Sequence, residues 1–490
     1  MENKTASVKA YLGTADFGNE ARFGHVDMVQ SIRSPGSTLK PFLYAMAMDE
    51  GLIHAKSLLS DVPRFWGNYR PGNFNQGFSG PVSVSDALQR SLNIPAVEVL
   101  ERYGPNKFVS QWQNAQLKLI VPDNNANLSI ILGGAGTSLE HLVKAYMAFA
   151  NGGQIHHLNF IQTNTNAKPD ESGTKTQASN SRFIFSDQAA WVTQNILKGV
   201  SRPGQINTLA NIRSRSKLAW KTGTSYGFRD TWAIGVNKTY TIGVWLGRPD
   251  GTPIPGHNGR ETAGPLLHAV ADHLDNGLDQ TIEKPEGITQ ASICWPLGTL
   301  RSEQRKQDCH REHSTWVVDE NIPPTWNIAD ANDWQGNMIS YWVNVESGNQ
   351  APNACLDRYA QKFNSSFKRA QKKTAVWPKV LDPWLPSHLK RASLIPPVDQ
   401  HCQGMSATAN EVRITSVDHG NKYRSTGSTT PITLNAVGGE GHYHWYVNGR
   451  YQFSSTRQIG SQLSIDEKGE YQISVVDDNG LSDRVTIEVL

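Results

Sequence analysis

Three short runs in this chain set nucleophilic and basic side chains at spacings that suit acyl transfer. Ser37 and Lys40 form S-x-x-K, Ser91 and Asn93 form S-x-N, and Lys221, Thr222 and Gly223 form K-T-G, followed by Thr224. A serine hydroxyl is a poor nucleophile until a neighbouring base takes its proton, and a lysine three residues further along a helix is within reach. Thr222 and Thr224 offer hydroxyls to a carboxylate beside the cation of Lys221, and Gly223 removes a side chain where a substrate backbone lies close. Taken singly each run is weak. S-x-x-K recurs at Ser172, Ser214, Ser365 and Ser387, and S-x-N recurs at Ser347, whereas K-T-G occurs once. A serine near a helix start is usually a cap, a single lysine a solvated surface group, and an asparagine before Ile-Pro a turn residue.

Local structure selects among the copies. Leu39, Phe42, Leu43 and Met46 recur at helical spacing and Gly51 follows as a stop, so Ser37 lies at the N-terminus of a core helix, with Lys40 on the same face. Pro41 is tolerated because amides of the first turn lack intrahelical partners. A helix over about 84–91 and a second opened by Pro95 leave Ser91 to Asn93 at the break between them, where side chains can be aimed into a cleft. Ser172 falls instead in a polar stretch, 163–181, that reads as a surface excursion. Another helix starts at Thr137, where Thr137 and Glu140 form a capping box, and ends at Asn151-Gly152-Gly153. KLAWKTGT, DTWAIGV and TYTIGVWLG alternate with turn residues and predict an antiparallel sheet that carries K-T-G on a strand.

The 490 residues exceed one ordinary core, and the pattern divides them in three. Residues 1–280 read as α/β (α+β), 281–404 as a Trp/Pro/Cys-rich linking module of little periodicity, and 405–490 as an immunoglobulin-like β-sandwich. In that last part VRITSV, PITLNAV, HYHWYVNG, QLSI, YQISVVDDNG and VTIEVL are the strands, with Asn448-Gly449 and Asn479-Gly480 as hairpin turns. Asp466, Gly469 and Tyr471 have the spacing of a tyrosine corner, and Trp445 is expected between the sheets. A net charge of +3 gives no reason to expect nucleic acid as a partner. No run approaches a membrane span, and no signal peptide opens the chain. Cys294, Cys309, Cys355 and Cys402 are an even set suited to an oxidising compartment. Three connectivities exist, and neighbour pairing, Cys294 with Cys309 and Cys355 with Cys402, is the expectation. Cys309-His310 and His313 lack a second pair at zinc spacing, so no metal is expected. His25, His54, His156, His157 and His257 have no triad context.

SPGSTLKPF, RSLNIPAVEVL, LGGAGTSLEHLVKAYMAFANGG and WKTGTSYGFRDTWAIGV, in this order, resemble the class A penicillin-binding proteins. The resemblance covers nearly the whole chain and implies a penicillin-binding transpeptidase fold, related to the serine β-lactamases, with no cofactor. It implies a DD-transpeptidase that cross-links peptidoglycan stem peptides ending in D-Ala-D-Ala. β-lactam antibiotics acylate such enzymes, and other cell-wall synthesis proteins are further partners. It makes Ser37 the nucleophile, Lys40 the general base, Ser91 the proton relay and Asn93 a holder of the stem amide. Lys221, Thr222 and Thr224 would bind the terminal carboxylate, and the Ser37 and Thr224 backbone N–H groups would form the oxyanion hole. The family also implies a periplasmic location, and an inner-membrane anchor and glycosyltransferase domain ahead of the transpeptidase, the last two not expected within this sequence. Its sheet begins with a strand upstream of the one that VKAYLG resembles, and here MENKTAS stands in that place. Two other classes use overlapping features: a serine β-lactamase, which would turn penicillin over, and a non-catalytic penicillin- or wall-binding module, which would not be acylated.

Overall fold

The computed structural model describes residues 1–64, 66, 69–74, 77–161, 182–204, 218–274, 281–326, 337–351, 368–402, 412–424, 429–438, 442–448, 450–456, 460–477 and 482–490. They form two compact units: 1–56 with 83–291 and 315–323, and 57–82 with 292–314 and 324–490. No helix among the described residues is long and apolar enough to cross a membrane.

The first unit is built round α1 (Lys40–Asp49), which the 3-10 turn Gly36–Leu39 feeds directly. Every residue of α1 from Lys40 to Met48 is buried, so the helix is core on all sides. Phe42 packs edge-on against Trp112 and Tyr146, with ring centroids 5.0 and 5.1 Å away. Around it lie α2 (Val84–Gln89), α3 (Ile94–Tyr103), α4 (Pro105–Asn114), α5 (Leu139–Tyr146) and α6 (Asp187–Leu197), with α7 (Ala263–Leu274) later in the chain. The excursion 57–82, which belongs to the second unit, is bounded by the paired strands β1 (Leu58–Asp61) and β2 (Gly80–Ser83), and β3 (Gln154–Ile155) pairs with β4 (Arg182–Phe183). The main sheet of this unit holds β5 (Ala219–Thr224), β6 (Asp230–Val236) and β7 (Thr241–Gly247), antiparallel in that order, as KLAWKTGT, DTWAIGV and TYTIGVWLG predict.

Two sequence expectations need correction here. The cap of α5 is Ser138, whose hydroxyl accepts from the His141 N–H; the Thr137 hydroxyl instead donates to the Lys118 carbonyl, because Thr137 is held as a β-bridge to Arg33. Residues 8–13, VKAYLG, form no strand. Ser7 bridges to Asn159, and Val8 N–H donates to the Asn159 carbonyl, so this segment follows the turn after β3 rather than the sheet. Residues 163–181 lie outside the described residues.

In the second unit Cys294 and Cys309 are disulfide-bonded as expected. Cys402 is buried and disulfide-bonded too, while Cys355 lies outside the described residues. Within 281–404 the sequence reading missed regular structure: β8 (Ile288–Trp295) pairs with β9 (Arg311–Val318), and β10 (Met338–Asn344) pairs antiparallel with β11 (Arg369–Ala375). The C-terminal strands are β12 (Arg413–Ile414), β13 (Lys422–Tyr423), β14 (Thr430–Leu434), β15 (Ala436–Val437), β16 (His442–Val447), β17 (Arg450–Thr456), β18 (Ser461–Ile465), β19 (Gly469–Asp477) and β20 (Ser482–Val489). A five-stranded sheet, β13-β20-β19-β16-β17, accompanies the pairs β14-β18 and β12-β15, as a sandwich requires. Trp445 is fully buried in their shared core, and its indole N–H donates to Ser455 Oγ. The Tyr471 hydroxyl donates to the Glu467 carbonyl 2.8 Å away, which is the bond of a tyrosine corner. Asn448 adopts φ 49° in the two-residue β16–β17 turn, whereas Asn479-Gly480 falls outside the described residues.

These contacts rank the sandwich residues. Trp445→Ala should cost about 3–5 kcal/mol, as aromatic truncation in a closed core does. Tyr471→Phe, which removes one hydroxyl from a surface corner, should cost about 1 kcal/mol. Hydrogen exchange in β16 and β19 measures both, and equal losses would show that the corner carries more than its one bond.

Candidate active site

The site starts from a close approach. Gly36 has φ 54°, and a Cβ there would stand 2.6 Å from the Thr224 carbonyl oxygen and 2.8 Å from its nitrogen. A Cβ on Gly223 would stand 2.4 Å from the Pro35 carbonyl oxygen and 2.7 Å from Thr38 Cγ2. The turn bearing Ser37 therefore lies directly on β5, and only glycine at both positions permits it. The space that the sequence reading kept for substrate beside Gly223 is occupied by this turn.

The turn is held from several sides. The Trp232 indole donates to the Ser34 carbonyl at 2.9 Å, and the Tyr146 hydroxyl to the Thr38 carbonyl at 2.7 Å. Ser34 Oγ donates to the Gly133 carbonyl, and a Cβ on Gly133 would meet that hydroxyl at 2.5 Å. Ser37 itself is partly exposed, and among the described residues its hydroxyl has no hydrogen-bond partner.

Sequence spacing aims Lys40 at Ser37, but the Lys40 amine is taken by the α2–α3 break. It is fully buried and donates to the Ser91 carbonyl at 2.8 Å, the Leu92 carbonyl at 3.0 Å and Asn93 Oδ1 at 2.6 Å. Asn93 occupies the N-cap of α3 without capping it, because its side chain is turned to Lys40. Ser91 adopts φ 58°, which costs a residue other than glycine about 1–3 kcal/mol and turns its carbonyl onto the lysine. Ser91 Oγ in turn accepts from Lys221 Nζ at 2.7 Å, and Lys221 also donates to the Thr222 carbonyl at 2.8 Å. Lys221 is 2% exposed, and burial pushes its ammonium down to about 7. Lys40, Ser91, Asn93 and Lys221 are thus one hydrogen-bonded group.

The side chains of Thr222 and Thr224 lie on the other face of β5 from that of Lys221, because side chains alternate along a strand. They share the opposite face with Trp220, and Thr224 Oγ1 accepts from the Gly259 N–H at 3.1 Å. Their backbone groups point elsewhere. The Ser225 N–H bonds across to the Asp230 carbonyl, so by alternation Thr222 and Thr224 direct N–H and C=O away from β6, toward the free edge of β5. Sequence reasoning did not find Trp232, Tyr146 or Gly259. LGGAG does contain Gly133, but nothing in its spacing shows which segment it must clear. Among the described residues no cluster could hold a metal.

The serine-bearing turn thus lies on an edge strand beside two buried lysines that share the serine and asparagine of a helix break. A model of the penicillin binding protein transpeptidase domain matches residues 1–267, and the chain belongs to that family. Two linker domains of penicillin-binding protein 1C match residues 287–317 and 332–393, and the penicillin-binding protein C-terminus family matches 402–487. Penicillin-binding protein 1C of Escherichia coli K12 is 40% identical over 98% of this chain and 59% of its own length, so the chain spans about three fifths of that relative. Penicillin-binding protein 1F of Bacillus subtilis 168 is 31% identical over 50% of this chain and 34% of its own. The crystal structure of penicillin-binding protein 1A from Haemophilus influenzae aligns with a TM-score of 0.49 at 20% identity, covering 61% of this chain and 50% of that one.

Gly36→Ala and Gly223→Ala should each lower stability by about 1–3 kcal/mol and slow covalent labelling by a fluorescent penicillin. Gly18→Ala, where nothing lies within 4 Å, is the neutral control. Thermal melts and labelling rates test this, and unchanged labelling in both site variants would show that the close approach is dispensable.

Proposed function

We propose that this chain is the transpeptidase part of a peptidoglycan synthase that works through a Ser37 acyl-enzyme. The observation that carries the reading is the hydrogen-bonded group of Lys40, Ser91, Asn93 and Lys221 beside the Ser37 turn. A stem peptide ending in D-Ala-D-Ala would lie extended along the free edge of β5, where Thr222 and Thr224 present backbone groups and hydroxyls. Ser37 Oγ attacks the penultimate carbonyl carbon, the new C–O bond replaces the C–N bond, and D-Ala leaves as its amine gains the serine proton. An acceptor amine from a second stem then attacks the ester, forming the cross-link and returning a proton to Ser37. The Ser37 and Thr224 N–H groups would receive the oxyanion, each worth about 3–4 kcal/mol in comparable acyl transfers. Support for that pairing is the short distance between the Gly36 Cβ position and the Thr224 nitrogen.

The two lysines divide the proton work. Lys40 would serve Ser37 as general base, its amine positioned by three acceptors at the α2–α3 break. Lys221 is the amine nearer neutrality and touches the Ser91 hydroxyl, which suits Ser91 as a relay to the leaving amine. A bound carboxylate would stabilise the Lys221 ammonium and raise its pKa. The parent enzyme would act in the periplasm, with stem peptides and β-lactams as ligands. Residues 281–404 would link the transpeptidase to a C-terminal sandwich that positions it on glycan or on another wall-synthesis protein.

Ser37→Ala should abolish labelling by fluorescent penicillin and leave the melting temperature within a few degrees; labelling that persisted on another serine would refute the assignment. Lys221 is an ammonium below about 7 and an amine above it, so the rate at which carboxylate-bearing penicillins acylate the protein should fall as pH rises through that value. Lys221→Arg stays charged and should remove the fall. An inflexion kept in that variant would assign it to a different group.

A further inference from the structure

The acyl-enzyme reading gives the substrate a direction along β5. With the terminal carboxylate held at Lys221 and Thr222 and the scissile carbonyl at the Thr224 N–H, the residue that precedes D-Ala-D-Ala lies further on, past Thr224. A strand rises about 3.3 Å per residue, so that residue comes to lie against the turn that closes β5. β5 ends at Thr224 and β6 begins at Asp230, which makes 225–229 the turn in question.

The turn is tied down from within and from outside. Ser225 N–H donates to the Asp230 carbonyl at 3.0 Å, Asp230 N–H to Ser225 Oγ at 2.9 Å, and Phe228 N–H to the Ser225 carbonyl at 3.1 Å. Ile254 N–H donates to the Phe228 carbonyl at 2.9 Å, and the Trp245 indole to Asp230 Oδ1 at 3.1 Å. Phe228 adopts φ 58°, a conformation unfavourable for its side chain that these bonds enforce. On this fixed backbone Tyr226 is 99% exposed, so its ring packs on nothing of the protein's own. Single exposed apolar side chains are ordinary; this one stands at the end of the strand that the substrate follows. Beside it the Arg229 guanidinium folds back over the turn, its Nε 4.0 Å from where a Cβ on Gly227 would be. Arg229 is exposed and among the described residues has no acidic partner, since the neighbouring Asp230 carboxylate is buried and engaged by Trp245.

We propose that Tyr226 and Arg229 form the subsite for the side chain of the donor residue that precedes D-Ala-D-Ala, and that they select a side chain with an apolar body and an anionic end. The inference rests on the Ser37 transpeptidase reading and adds a specificity to it. Tyr226 offers a flat face to methylenes or to a ring, and the fixed turn beneath it leaves little ordering cost to binding. Arg229 adds a permanent planar cation whose donors match a carboxylate, and the same charge repels an ammonium. A penicillin's acyl side chain stands on the corresponding side of its reactive carbonyl, so it enters the same subsite.

The test follows acylation of Ser37 in the intact chain by mass spectrometry with penicillins that differ only in the side chain. These are benzylpenicillin, carbenicillin and ampicillin, the last two bearing a carboxylate and an ammonium on the benzyl carbon, and the penicillin nucleus without an acyl group. The unaltered chain should react with carbenicillin at least about threefold faster than with ampicillin. Tyr226→Ala, which removes a ring already in water and so leaves the fold alone, should slow benzylpenicillin about fivefold and the bare nucleus less than about twofold. Arg229→Ala should remove the preference for carbenicillin, and Arg229→Lys should retain it. Equal slowing of benzylpenicillin and the bare nucleus in Tyr226→Ala would overturn the subsite, as would a carbenicillin preference that survives Arg229→Ala. A chain whose Ser37 reacts with none of the four would overturn the transpeptidase reading itself, and the subsite with it.

Discussion

The contact between the Ser37 turn and β5 is the constraint that the rest of the site obeys. Turn and strand backbones meet at distances that leave no room for a Cβ at Gly36 or Gly223. Close contact of that kind needs support behind both partners. Trp232, Tyr146 and Gly133 hold the turn, and on the far face of the sheet a Cβ on Gly259 would meet the Gly223 carbonyl oxygen at 2.6 Å. The wholly buried α1 then fixes the direction in which the turn presents its serine.

Electrostatics follow from that geometry. Two lysines buried near one another are costly unless their protons are shared out or their charge is given up. Lys40 takes the first course through two carbonyls and an amide oxygen, for which Ser91 and Asn93 surrender ordinary helix-end roles. Lys221 takes the second, with its pKa pushed down to about 7. The strained φ of Ser91 belongs to the same arrangement, because it turns the peptide carbonyl toward one lysine while the hydroxyl stays on the other.

Much of this was legible in the sequence because it rests on local periodicity. The helix that follows Ser37, the break at Ser91 to Asn93 and the three strands after Leu218 all appear where alternation and turn residues put them. So does the sandwich, down to the bond from Tyr471 to Glu467. What stayed hidden depends on partners far along the chain. The Lys40 amine is bound by carbonyls about fifty residues away. β9 and β11, REHSTWVV and RAQKKTA, carry too many exposed polar residues to show alternation, and β13 is two residues long. VKAYLG has the composition of a strand and is not one, because its hydrogen bonds go to the turn after β3 instead of to a sheet.

The order in which the units are strung has a consequence for synthesis. The first unit gives up residues 57–82 to the second, resumes at Ser83, and takes its last piece, 315–323, after the disulfide-bearing segment has already been made. A chain emerging from the ribosome at roughly 5–20 residues per second therefore cannot finish the unit that carries Ser37 until well after Ala291 has appeared. The segment 57–82 must likewise wait for the later pieces of its own unit, which begin at Ser292. Folding of this protein is thus not a matter of one half closing before the next begins. Two partly built cores coexist while the chain is being made, and no single cut separates the two units.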